Sequence, residues 1–334
     1  MISGARTQGI LLLALAAAAF HGPGQATGEE IKRIEFESAN FADYRDAIDG
    51  TPEKKVKIWG ELSMPAGATG KVPAVVLMST SGGYDQSMAI FEHYRAVLSG
   101  LGAAAFSVNS NAPRGLGTLR ITDLPYASTD ADAYAALNAL ASNEGIDPSR
   151  IAVMGFSRGG GVALQTAFEP MRRGFVKAGI IPDSAKFAAH VGFYPMCATF
   201  MKGPGALTGA PVLLLAGALD DLTPARQCSE QLAFLKASGE DVPITLKIYE
   251  NAHHSWDHPL AHGDHPQASG SSGCPNFVMD HAGNFFILKD GKLEAALSSA
   301  RRCGRLGGTM YYNRAVRDQS DRDVTDFFRR TLLK

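Results

Sequence analysis

Residues 155–159 read Gly155-Phe156-Ser157-Arg158-Gly159, a Gly-x-Ser-x-Gly pattern followed by Gly160 and Gly161. This pattern suits a serine carried on a strand-to-helix bend too sharp for bulky neighbours, which lifts the hydroxyl clear of the backbone. A serine hydroxyl is a weak nucleophile at neutral pH. It needs a base to take its proton, and the base needs an acid to orient it. Two later segments offer those groups in the chain order serine, acid, histidine. Asp220 follows an apolar run through Gly217-Ala218-Leu219 and precedes Pro224, while His254 follows another run through Glu250-Asn251-Ala252. Each has a competing neighbour. The frame Gly217, Asp220, Pro224 selects Asp220 and leaves Asp221 as a solvated carboxylate or helix cap. Ser255-Trp256-Asp257, a small, aromatic, acidic tail, selects His254 over His253. Ser157, Asp220 and His254 are therefore the expected triad. A tetrahedral oxyanion would need two donors, each contributing about 2.7–4 kcal/mol. The backbone N–H of Arg158 at the helix start is one. The second is expected from Ser79-Thr80-Ser81-Gly82-Gly83, with Ser81 or Thr80 as the donor.

Three loops can meet only on a suitable scaffold. Short apolar or β-branched runs alternate here with helical patterns, as in parallel βαβ units. Runs at 73–78, 103–108, 151–154, 187–193, 212–216 and 244–249 read as strands, the continuous apolar ones buried on both faces. Residues 56–62 alternate and read as an early strand on a sheet edge. Helical spacing marks 86–98, 130–140, 160–168, 224–237 and 324–333, with Pro224 in a first turn where its missing N–H costs nothing. The expected fold class is α/β, a mostly parallel, doubly wound sheet with flanking helices, forming a single domain over residues 27–334. The stretch 258–290 breaks the rhythm. It is rich in Gly, Pro, His and Ser around Gly270-Ser271-Ser272-Gly273, with one strand-like piece at 285–288. An insertion is expected at about 258–310, between the last strand and the final helix.

The chain has 334 residues, 45% of them hydrophobic, enough for one large buried core. Its 32 basic and 33 acidic side chains give a formal charge of -1. No basic block interrupts that balance, which argues against nucleic acid as a partner. Arg6 precedes an apolar run over 10–20, and Gly24-Gln25-Ala26 offers a small-x-small cleavage site. Residues 1–26 are thus expected to be a signal peptide, its run too short to span a bilayer. The mature protein is expected to be secreted or periplasmic, with no stable membrane association. In an oxidising compartment the four cysteines suggest two disulfides. Of the three possible pairings, Cys197–Cys228 and Cys274–Cys303 are expected, the first because both cysteines follow adjacent core strands. His253, His258, His262 and His265 cluster in the Gly/Pro-rich stretch without a His-Glu-x-x-His motif, so they read as loop histidines and no metal is expected.

The segments Gly155-Phe156-Ser157-Arg158-Gly159-Gly160, Asp220-Asp221-Leu222-Thr223-Pro224 and Ala252-His253-His254-Ser255-Trp256-Asp257 carry a family resemblance. Tyr194-Pro195-Met196-Cys197, Cys228 and Ala112-Pro113-Arg114-Gly115 add to it. Over roughly residues 56–332 the chain resembles the dienelactone-hydrolase-like branch of the α/β-hydrolases. The resemblance implies the α/β-hydrolase fold, no cofactor, and hydrolysis of a small-molecule carboxylic ester through an acyl-enzyme. It also places the Arg114 loop at the mouth of the site, where Arg114 would contact substrate unless it is held in an ion pair. Dienelactone hydrolases proper use a cysteine nucleophile. Ser157 in its place favours a general ester hydrolase over a lactonase. Ser79-Thr80 likewise replaces the His-Gly pair common before the oxyanion loop. Two other functions fit the same residues: a serine peptidase or amidase, whose relatives usually carry a large extra domain, and a non-catalytic binding module on the same fold.

Overall fold

The protein is described here by a computed structural model covering residues 1, 31–117, 123–237, 239, 242–295 and 303–334. The expected signal segment therefore lies, apart from residue 1, outside the described residues. An eight-stranded sheet forms the centre, from β1 (Ile31–Asn40), β2 (Lys54–Ser63), β3 (Val72–Met78), β4 (Ala104–Asn109), β5 (Ile146–Phe156), β6 (His190–Phe193), β8 (Val212–Gly217) and β9 (Ile244–Tyr249). A smaller sheet contains β7 (Thr199–Met201), β11 (Asn276–Met279), β12 (Phe285–Lys289) and β13 (Lys292–Ala295). β10 (Ser269–Gly270) and β14 (Arg305–Leu306) pair as a short ribbon. The strand order of the large sheet is β1-β2-β4-β3-β5-β6-β8-β9. β1 and β2 run antiparallel to their neighbours, and the ladder from β4 to β9 is parallel. This is the doubly wound sheet expected from the alternation of strand and helix patterns.

The helices are α1 (Tyr44–Asp49), α2 (Gly83–Gln86), α3 (Met88–Gly100), α4 (Tyr126–Ala141), α5 (Arg158–Gln165), α6 (Glu169–Lys177), α7 (Ala225–Ala237) and α8 (Arg314–Thr331). The period-2 geometry of β3 divides the core cleanly. Ala74, Val76 and Met78 pack with α4 to α7 on one face, and Val75 and Leu77 with α3 and α8 on the other. Every residue of β3, β4, β6 and β8 is buried, as continuous apolar runs require.

Three expectations change. The strand near 56–62 is not at the sheet edge, because β1 pairs along its whole length. Charged residues punctuate β1 (IKRIEFESAN), which suits a solvent-flanked edge but hides its strand character. α8 begins ten residues earlier than its apolar spacing suggested, at Arg314, capped by Asn313, whose side chain accepts from the Val316 N–H. The insertion holds several paired strands, where the sequence showed a strand signal only at 285–288.

α4 is buried almost all round, since it packs between the sheet and α1, α5 and α6. Asp130 within it is fully buried, and neither of its carboxylate oxygens has a hydrogen-bond partner. Desolvation pushes its pKa well above the ordinary carboxylate range, only partly offset by the nearby Arg158 cation. A folded-state value above the unfolded one means Asp130 favours folding below the unfolded value, about 3.9, and loses that contribution as pH rises. Asp130→Asn should therefore raise the melting temperature at pH 7, and the gain should shrink to nothing as pH falls below about 4. Thermal melts of both proteins across that range check this; a gain that grew in acid would overturn it.

Candidate active site

Ser157 sits between the end of β5 and the start of α5 with φ 54° and ψ −111°, a region a side chain enters only at a cost of about 1–3 kcal/mol. The surrounding glycines make this bend possible. A Cβ on Gly155 would fall onto the carbonyl of Gly159, and one on Gly159 onto the carbonyl of Met78 at the end of β3. The Ser157 N–H donates to the Phe193 carbonyl at 2.9 Å, and the Ser157 carbonyl accepts from Gly161 at 3.0 Å. The bend is thus tied both to β6 and into its own helix.

His254 Nε2 lies 2.8 Å from Ser157 Oγ, and His254 Nδ1 lies 2.8 Å from Asp220 Oδ2. All three residues are buried. The three segments selected from sequence meet here at the C-terminal ends of β5, β8 and β9, where ligands bind in open α/β sheets. Asp220 Oδ1 accepts from the N–H groups of Leu222 and Thr223 at 2.9 and 2.8 Å, which fixes the carboxylate as an acceptor. Asp221 points away. It is exposed and receives the Thr309 N–H at 2.8 Å, pinning the return of the insertion. His253 meets Tyr311 rather than the serine, and the Tyr311 N–H donates to the His254 carbonyl at 3.1 Å.

Thr223, Tyr194 and Asp257 complete the support of the base. Thr223 Oγ1 is 2.9 Å from Asp220 Oδ2, 3.1 Å from His254 Nδ1 and 3.0 Å from the Tyr194 carbonyl. The Tyr194 ring lies edge-on to the imidazole at 4.7 Å, and its hydroxyl donates to Asp257 at 2.7 Å. Burial raises the pKa of Asp257 from its ordinary value, which makes it a weaker acid. Tyr194 holds φ 35°, a conformation sustained by its packing against Trp256 and by its N–H bond to Leu215. Thr223 was not singled out in the sequence, although its place three residues after Asp220 is one from which a side chain can close a turn onto the acid; the Tyr194–Asp257 contact spans 63 residues and left no local signal.

The expected oxyanion donors flank the serine. Arg158 opens α5, so its N–H has no acceptor within the helix. In the opposite loop, the Thr80 N–H is committed to Ser87 Oγ at 3.1 Å, which leaves Ser81 of the two candidates. Ser81, Ser157, Arg158 and Thr223 line one cavity of about 850 Å³. The Arg158 side chain does not reach outward. Its guanidinium lies 4.0 Å over the Tyr126 ring and donates to the Leu124 carbonyl.

Arg114 requires a correction. Its side chain is buried and grips Asp132 with two bonds, of 2.8 and 2.9 Å, while also donating to Asn40 and to the Ser110 carbonyl. It does not line the cavity. Asp132 is buried two residues after Asp130 in the same helix, and a carboxylate there demands a cation. That tertiary demand, invisible in the local sequence, holds Arg114 in an ion pair away from the cavity lining. Both expected disulfides are present: Cys197–Cys228 joins the segment after β6 to α7, and Cys274–Cys303 closes the insertion beside the cavity.

A model of the phospholipase/carboxylesterase family matches residues 131–262, less than half of the chain. No curated protein matches the sequence significantly. Among solved structures, a dienelactone hydrolase-like promiscuous phosphotriesterase from metagenomic libraries is 18% identical with a TM-score of 0.52, covering 90% of this chain and 98% of its own. A protein named m3DLH is 21% identical with a TM-score of 0.54, covering 90% of this chain and 99% of its own. An esterase of the planctomycete Thermogutta terrifontis is 17% identical at a TM-score of 0.45, covering 69% and 86%. The likeness to the first two is one of fold, and the protein has the α/β-hydrolase fold.

Replacing Arg114 by Ala leaves Asp132 buried and unpaired, and should lower stability by about 3–5 kcal/mol in urea unfolding. A raised KM at unchanged stability would instead return Arg114 to the substrate.

Proposed function

We propose that the protein is a serine hydrolase that cleaves carboxylic esters through an acyl-enzyme. The observation that carries this reading is the unbroken line from Ser157 Oγ through His254 to Asp220, two contacts of 2.8 Å in a buried setting open to a cavity. His254 Nε2 takes the Ser157 proton as Oγ attacks the carbonyl carbon. The Arg158 and Ser81 N–H groups receive the oxyanion, and Asp220 stabilises the imidazolium. Collapse of the adduct breaks the ester C–O bond, with His254 returning the proton to the departing alcohol. Water then repeats the sequence and releases the acid. The serine nucleophile, the full triad and the family-model match all favour an ester over a lactone or a binding role. The short apolar N-terminal run and the two disulfides together support export to an oxidising compartment, secreted or periplasmic.

A fluorophosphonate probe should label the wild type and fail on Ser157→Ala. Hydrolysis of p-nitrophenyl acetate should fall by roughly 10,000-fold or more in Ser157→Ala and His254→Ala alike. An unlabelled wild type would end the enzymatic reading, and wild-type activity in His254→Ala would end this assignment of the base.

A further inference from the structure

The cavity that holds Ser157 is far larger than a short ester needs. At about 850 Å³ it falls within the roughly 300–1,000 Å³ of pockets that enclose a drug-sized ligand. Ser157, Arg158, Thr223 and Ser81 are among its polar lining residues; Tyr44 from α1, Phe277 from β11 and Phe285 from β12 supply an aromatic corner. The Tyr44 and Phe285 rings lie 5.8 Å apart at 51°, and the Phe277 and Phe285 rings 6.2 Å apart at 87°. Such tilted arrangements offer both a ring face and a ring edge to a further ring.

These rings are not simply the core of the small sheet. Val278 and Met279, next to Phe277 on β11, are fully buried and do that work. Phe277, Phe285 and Tyr44 are each only half-buried, although each packs against another ring of the three. The corner is also firmly held: the Phe277 N–H donates to the Ala198 carbonyl at 2.7 Å, one residue beyond the Cys197–Cys228 bridge. Cys274 and Cys303 stand in the same wall. A short ester would leave three apolar surfaces facing water beside the nucleophile.

We infer that the substrate ester carries an aromatic arm, on its acyl or its alcohol side, which seats against Tyr44, Phe277 and Phe285. The inference rests on the ester-hydrolase reading and narrows its substrate class. Tyr44, Phe277 and Phe285 are then specificity-determining residues, brought together from α1 and the inserted strands.

The test uses the full chain and pH-stat titration of ethyl acetate, ethyl 3-phenylpropanoate and 2-phenylethyl acetate, with the cyclohexyl counterparts of both aryl esters. One aryl ester should exceed ethyl acetate in kcat/KM by roughly 10- to 100-fold, and should exceed its own cyclohexyl counterpart. Whichever aryl ester is preferred identifies the side that bears the arm. Phe277→Leu/Phe285→Leu keeps apolar bulk and should cut the aryl-to-ethyl-acetate ratio about tenfold, chiefly through KM. If melting shows the double variant unfolded, Phe285→Leu alone is read for the same ratio. Turnover of ethyl acetate without aryl preference, or a ratio unmoved in the folded variant, overturns the aromatic arm while leaving the esterase standing. Turnover of none of the esters removes the esterase reading itself.

Discussion

The active site depends on how closely α5 approaches the end of β3. Gly159 rests against the Met78 carbonyl and Gly155 against Gly159, with no space at either contact for even a methyl group. That approach forces Ser157 into a backbone conformation a serine would not choose alone, and the hydroxyl stands above the sheet as a result. It also sets the first amide of α5 opposite the loop after β3, so one close backbone contact positions both the nucleophile and the two N–H groups expected to receive the oxyanion. Packing here supplies the precision that side-chain chemistry then uses.

The base is held by a different principle. His254 sits on a loop after an exposed strand, and loops are mobile unless their polar groups are engaged. Here they are engaged from three sides: Asp220 and Thr223 at Nδ1, the Tyr194 ring edge, and the Tyr311 N–H on the His254 carbonyl. Asp220 has its own acceptors filled by two backbone N–H groups before it meets the imidazole. Tyr194 links this cluster to Asp257, so the aromatic-acidic tail that marked His254 in the sequence is itself part of its support.

What could be read from sequence follows from how local each cause is. The nucleophile bend, the acid turn and the histidine loop are each set by fewer than ten consecutive residues at a strand end, and they were legible. The parallel core was legible too, because strands buried on both faces are apolar throughout. β1 was not, since its solvent-flanked edge is written in alternating charges. The role of Arg114 was hidden because its partner Asp132 lies on a helix packed from elsewhere in the chain. Phe277 and Phe285 reach the cavity through pairing of β11 with β7 and β12, contacts between short segments whose Gly- and Pro-rich surroundings give no register.

The sulfur chemistry of the chain is confined to one side of the molecule. No cysteine lies in β3, β5, β8 or the nucleophile bend, whereas both bridges bound the small sheet and the cavity wall beside it. The nucleophile bend and this part of the cavity wall are therefore secured by separate means, one by close packing and one by covalent cross-links. The wall, unlike the bend, depends on its cysteines being oxidised.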